Sequence, residues 1–200
     1  MVTNSEGRSE ADFLYTVEQA CKGGVTVLQL REKELSAKEF YQLALKVKSI
    51  TDHYNIPLII NDRIDVAIAV DAAGVHLGQS DLPVAAARAM LGANKIIGIS
   101  TKTLAQALAA AADGADYLGV GAIYPTTTKV VTVITSTDTL KEIVENVNIP
   151  VVAIGGLNAD NLDILYGSGA SGIAVVTAIM NSPNPQEAAA ELRRLVKEKL

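Results

Sequence analysis

Cysteine, histidine and tryptophan are the scarce residues here: one, two and none in 200. Each scarcity closes off a class of function. A lone Cys21 cannot form an intramolecular disulfide, and with only two histidines beside it no zinc site of the usual His/Cys kind can be assembled. Aromatics make up 4% and the formal net charge is −5, so the stacking residues and basic stripe of a nucleic-acid surface are missing. No apolar run approaches the roughly 18 to 20 residues of a bilayer span. No basic start, apolar stretch and small-residue cleavage site opens the chain, so a cytoplasmic protein away from any membrane is expected.

What is present is a balance of 49% hydrophobic and 20% charged residues, enough for one packed domain over 1–200 and too little chain for two. Short β-branched runs fall at 25–30, 57–61, 74–77, 96–100, 117–120, 151–154 and 172–176, with a stub at 1–4. They alternate only weakly, as parallel strands buried on both faces do. Between them lie helical stretches with readable starts. Ser36…Glu39, Thr103…Gln106 and Thr139…Glu142 have capping-box spacing, and Asn184-Pro185 places proline at a first helical position. Gly23-Gly24, Gly114 and Gly167-Ser168-Gly169 punctuate helix ends. About eight such strand–helix units give an open doubly wound sheet or a closed barrel. The dinucleotide fingerprint G-x-G-x-x-G follows no strand, and the strand count favours a single-domain (β/α)8 TIM barrel with a truncated first strand.

Active sites of such barrels lie at the C-terminal strand ends. The strand ending near Leu30 leads into Gln29-Leu30-Arg31-Glu32-Lys33, and a period of two puts Gln29, Arg31 and Lys33 on one side. The next two strands end in Asn61-Asp62 and in His76-Leu77-Gly78-Gln79-Ser80-Asp81. A lone carboxylate there is ordinarily a helix N-cap. Two at matching places beside Arg31 and Lys33 suit a Mg²⁺ shared with phosphate oxygens. His76 reads as a pocket wall rather than a metal ligand, and Ser100 brings a hydroxyl to the same mouth. The irregular stretch 121–137 is long for an α/β connection and carries Pro125-Thr126-Thr127-Thr128-Lys129, an anion clamp in composition. Gly155-Gly156 and Val176-Thr177 stand where these barrels commonly bind phosphate, although the glycines also suit a tight turn. The reading is a monophosphate held by Gly156 and Thr177, opposite a diphosphate held by Arg31, Lys33, Lys129 and Mg²⁺ on Asp62 and Asp81.

In order and spacing, QLREK (29–33), ND (61–62), HLGQSD (76–81), GIS (98–100), PTTTK (125–129), AIGG (153–156) and GIAVVT (172–177) resemble the thiamine-phosphate synthase family along nearly the whole chain. The resemblance implies a transferase that joins a hydroxymethylpyrimidine diphosphate to a thiazole phosphate, giving thiamine phosphate and pyrophosphate with Mg²⁺. It implies pyrimidine diphosphate contacts at Gln29, Leu30, Arg31, Glu32, Lys33, Asn61, Ser100 and Lys129, with His76 in the pocket wall. It implies thiazole phosphate contacts at Thr126, Thr127, Thr128, Gly156, Val176 and Thr177, and metal ligands at Asp62 and Asp81. Arg31, Ser100 and Lys129 would act on the reacting groups in a dissociative reaction. The expected partners are these small molecules, and a homo-oligomer is compatible with the chain.

Departures accompany the resemblance. The chain starts Met1-Val2-Thr3-Asn4 where the family has a longer first strand. Lys102 stands where histidine is frequent, Val130-Val131 where Lys-Asp is common, and Thr177 where serine is frequent. A thiazole tautomerase-like isomerase of the same superfamily and a non-catalytic binder of thiamine precursors are the alternative readings.

Overall fold

The computed structural model describes residues 1–126 and 134–200. Among them, β1 (Leu28–Leu30), β2 (Leu58–Asn61), β3 (Gly74–Leu77), β4 (Ile96–Thr101), β5 (Tyr117–Gly121), β6 (Val151–Ile154) and β7 (Gly172–Ala174) form one parallel sheet in chain order. Eight α-helices are described alongside it: α1 (Glu10–Lys22), α2 (Ala37–His53), α3 (Ile64–Ala69), α4 (Val84–Leu91), α5 (Leu104–Ala112), α6 (Thr137–Asn146), α7 (Thr177–Met180) and α8 (Pro185–Lys199).

The sheet closes on itself through the N-terminal stub. Val2 forms a single parallel bridge to Gln29. The Gln29 N–H donates to the Met1 carbonyl and the Thr3 N–H to the Gln29 carbonyl, both at 2.9 Å, while the Val2 N–H donates to the Val175 carbonyl at 2.9 Å. The short first strand thus pairs on both sides, with the start of the sheet and with the residue after β7. The ring of helices closes at the same seam, where α1 packs on α8. A Cβ at Gly23 would stand 2.2 Å from the Gln186 carbonyl oxygen, so only glycine permits that approach.

β1, β2 and β3 are buried along their whole length, as strands covered on both faces must be. The layer between sheet and helices holds the largest fully buried side chains, among them Phe13, Phe40, Leu28, Leu30, Leu140 and Ile143. Cys21 is buried in this layer without a disulfide, and burial pushes its thiol up to about 11. It is an inert, apolar filling residue.

Several local expectations shift. The 25–30 run pairs only from Leu28, where β2 begins opposite it, and Thr26 and Val27 are exposed. Ser36 makes the full reciprocal box with Glu39, whereas Thr139 caps nothing. The cap of α6 is Ser136, whose hydroxyl accepts from the Thr139 N–H at 3.0 Å. Gln106 turns its side chain to the Lys102 N–H rather than to Thr103. The stretch between β6 and β7, where a helix is expected, carries only a 3₁₀ turn at Leu162–Leu165.

Thr3 is fully buried, and its hydroxyl oxygen accepts from the Arg31 N–H at 3.0 Å. Thr3→Val keeps the shape and strands that N–H, so a loss of about 1–3 kcal/mol is expected in urea unfolding. A loss under about 0.5 kcal/mol would mean that solvent reaches the closing seam.

Candidate active site

All seven strands deliver residues to one hollow at their C-terminal ends. It has a volume of about 580 Å³. Gln29, Arg31 and Lys33 line it from β1, Asn61 and Asp62 from β2, and His76 and Asp81 from β3. Ser100 and Lys102 line it from β4, Gly119 and Gly121 from β5, Ile154 and Gly156 from β6, and Val176 and Thr177 from β7. A more open hollow of about 360 Å³ adjoins it, sharing Thr126, Gly156 and Thr177.

The carboxylates come from neighbouring strands and meet. The backbone at Asp62 turns into the left-handed region, with φ +61°, which aspartate tolerates better than most side chains. Its N–H still donates to the His76 carbonyl at 2.9 Å, extending the β2–β3 ladder by one step. The Lys33 ammonium donates to an Asp62 carboxylate oxygen, and Asp81 accepts from the Gly78 N–H at 2.6 Å. Burial, with the Asp62 carboxylate beside it, holds Asp81 above the ordinary aspartate range. Two adjacent carboxylates are hard oxygen donors of the kind Mg²⁺ accepts, with the remaining ligands from phosphate and water. Among the described residues no group of three or more His, Cys, Asp or Glu could hold a metal. Asp62 and Asp81 match by their chemistry the one or two carboxylates by which Mg²⁺ is commonly held beside substrate phosphates.

The floor of the hollow is a polar cluster inside the barrel. His76 Nδ1 shares a hydrogen bond with the Tyr117 hydroxyl at 2.9 Å, and Nε2 shares one with Ser100 Oγ at 2.8 Å. Burial pushes the Tyr117 phenol well above its ordinary range, against a hydrogen bond from the Gln29 side chain. The cluster exists because glycine faces it from the adjoining strands. A Cβ at Gly98 would stand 2.1 Å from the Tyr117 ring, and one at Gly119 3.0 Å from the His76 ring. His76 thus lines the hollow with its ring held at both nitrogens.

On the opposite side, Gly155 and Gly156 have φ +104° and +66°. Cβ atoms there would lie 2.4 Å from Ala122 Cβ and 2.6 Å from Tyr124 Cβ. These glycines let the β6 loop press against 122–125, where the Tyr124 N–H donates to the Gly155 carbonyl at 3.0 Å. The tight-turn reading of Gly155-Gly156 therefore holds, and Gly156 also lines both hollows.

Two expected contacts stand apart. Leu30 is fully buried on the helix-facing side of β1, because alternation that turns Gln29 inward turns Leu30 outward. Glu32 does not line the hollow: one carboxylate oxygen accepts from the Ser5 hydroxyl and the other is buried without a partner. Thr127, Thr128 and Lys129 lie outside the described residues. Tyr117, Gln79, Lys102 and Gln106 belong to this region and were not expected as site residues. Period two from Gly119 would have turned Tyr117 inward, but the glycine that makes room for it lies on another strand.

Burial raises the Glu32 carboxyl, against the Ser5 hydrogen bond and the Arg31 charge. The folded protein then holds that proton where the unfolded chain has lost it, so this term weakens the fold as pH rises from about 4.3 through the folded-state value. Glu32→Gln, which cannot ionise, is expected to flatten that slope and to be more stable than the parent at neutral pH. Equal parent and variant stability in urea titrations between about pH 4 and 7 would contradict it.

The family model described as thiamine monophosphate synthase matches residues 1–179. A thiamine-phosphate synthase of Alkaliphilus oremlandii is 51% identical over 197 residues, covering 98% of this chain and 94% of the relative. Thiamine-phosphate synthase 2 of Streptococcus pneumoniae is 55% identical over 182 residues, covering 91% and 87%. The solved thiamine phosphate pyrophosphorylase of Pyrococcus furiosus superposes with a TM-score of 0.90 at 39% identity, covering 100% of this chain and 95% of that one.

Proposed function

The chain belongs to the thiamine monophosphate synthase family, and from that premise we propose that the hollow at the strand ends joins a hydroxymethylpyrimidine diphosphate to a thiazole phosphate, releasing pyrophosphate. The chain is an enzyme, a transferase. The observation that carries the substrate assignment is one mouth with two unlike sides. Arg31 and Lys33 flank the meeting carboxylates Asp62 and Asp81 on one side, while Gly156 and Thr177 line the other.

The pyrimidine diphosphate takes the first side. Gln29 and Asn61 are both largely buried in the barrel mouth and offer amides to a heterocycle, while Ser100, fixed by His76, offers a hydroxyl. Arg31 and Lys33 face the diphosphate, with Lys129 as the further cation assigned from the sequence. Bound Mg²⁺, held by Asp62 and Asp81, would neutralise charge on the leaving pyrophosphate. The thiazole phosphate takes the other side, with Thr126 to Thr128, Gly156, Val176 and Thr177 around its phosphate. Apolar Ile154, Leu157 and Ala174 from the same hollow lie beside its ring.

The reaction suits these groups. The bond from the pyrimidine methylene to oxygen breaks with both electrons going to pyrophosphate, leaving a stabilised pyrimidinylmethyl cation. The thiazole nitrogen then donates its lone pair to that carbon. No strong base is required, and the chemistry depends on charge stabilisation and placement. At an effective dielectric of about 20, a cation about 4 Å from a developing anion contributes about 4 kcal/mol before desolvation is subtracted. Only the part that grows as pyrophosphate leaves accelerates the step.

Purified protein with both substrates is expected to release pyrophosphate only when Mg²⁺ is present. Asp62→Ala is expected to lower turnover at least tenfold and raise the Mg²⁺ requirement, with an unchanged circular dichroism spectrum. No release with both substrates would leave the binder, and thiazole isomerisation without the pyrimidine would identify the tautomerase. An Asp62→Ala rate and metal dependence equal to the parent would overturn the metal assignment.

A further inference from the structure

Lys102 is the one described cation of the mouth that lies beyond Asp81. The chain at and just before it is fixed by two side chains with no part in the strand ladder. Gln79 Nε2 donates to the Ser100 carbonyl at 2.8 Å, and the Lys102 N–H donates to Gln106 Oε1 at 2.8 Å. The chain leaving β4 is therefore held on either side of Thr101, and Lys102, Gln79 and Gln106 all line the hollow. Lys102 is half-buried, and among the described residues it makes no ion pair, whereas Lys33 is paired with Asp62.

Around the rim, consecutive strands place Lys33, Asp62, Asp81 and Lys102 in that order. The two carboxylates are bracketed by cations, one spent on Asp62 and one unspent. Lys102 lines the same hollow as the two carboxylates and makes no ion pair among the described residues, so its charge is available to an anion that enters. A diphosphate carries roughly three negative charges near neutral pH, and it spans more than one phosphoryl group.

Resting on the function proposed above, we infer that Lys102 is a further diphosphate-binding residue, taking phosphoryl oxygens on the Asp81 side while Arg31 and Lys33 take those on the Asp62 side. The ligand is gripped between the two ends of the rim, with Asp62 and Asp81 beneath it. The Gln79 and Gln106 hydrogen bonds fix the backbone from which the Lys102 side chain departs, so the base of the side chain is set before the anion binds. The thiazole phosphate, which lies over Gly156 and Thr177, is outside its reach by this assignment.

The test compares the parent, Lys102→Ala and Lys102→Arg by calorimetric titration with pyrophosphate in the presence of Mg²⁺, alongside steady-state kinetics. Lys102→Ala is expected to weaken pyrophosphate about tenfold, the loss of one charge-assisted contact. It should raise KM for the pyrimidine diphosphate similarly, leave KM for the thiazole phosphate unchanged and keep the parent's melting temperature. Lys102→Arg is expected to restore most of the pyrophosphate affinity. Parent-like pyrophosphate affinity in Lys102→Ala, or an equal rise in both KM values, would overturn the inference. A parent protein that binds pyrophosphate yet forms no thiamine phosphate would defeat the functional reading instead, and the pyrophosphate titration would still decide Lys102.

Discussion

The site depends on closure of a parallel ladder by three residues. The segment Met1 to Thr3 donates and accepts backbone hydrogen bonds on the Gln29 side and donates to Val175 on the other. That joint brings the first strand beside the last. Arg31 and Lys33, on the loop after β1, and Val176 and Thr177, after β7, thereby border the same hollow. A parallel sheet has all its C-terminal ends on one rim, so closure turns a row of strand ends into a ring of facing groups. Thr3, fully buried at the joint, also holds the Arg31 amide. The same joint therefore closes the barrel and sets the base of the cation-bearing loop.

Inside the ring, polar chemistry is accommodated by removing side chains. Tyr117 and His76 are bulky groups in a narrow barrel, and they fit because Gly98 and Gly119 have no Cβ to meet them. The resulting chain from Gln29 through Tyr117 and His76 to Ser100 places the Ser100 hydroxyl by contacts from below. Burial at this depth is tolerated because the polar atoms pair with one another. On the other wall, Gly155 and Gly156 serve a different need, a left-handed turn pressed against 122–125. The two walls thus use glycine for two physical reasons, room for a ring and room for a backbone.

Much of this was legible in the chain. The strand positions follow from β-branched runs, and the inward set Gln29, Arg31 and Lys33 from the period of two. Asp62 and Asp81 were recognisable as a pair because each lies shortly beyond the end of one of two neighbouring strands. The same period correctly read would have set Leu30 aside, since its neighbour Gln29 points inward. Glu32 was harder: its partner Ser5 lies 27 residues away, and no local pattern announces that pairing. The Ser136 cap was misplaced to Thr139 because both hydroxyls stand near the start of one amphipathic stretch, and only backbone conformation separates them.

The sequence by itself determined the alternation of strand and helix, the parallel order that follows from it, and the identities of the charged groups at the strand ends. These are set by short-range periodicity, capping and turn chemistry, which act over a few residues. Tertiary structure alone decided that the stub pairs on both sides, that Tyr117 and not only His76 underlies Ser100, and that Lys102 faces the same hollow as Asp81. Those outcomes rest on cross-strand register and on which side chain is missing opposite another. Contacts between residues far apart in the chain become fixed only when the ring has closed.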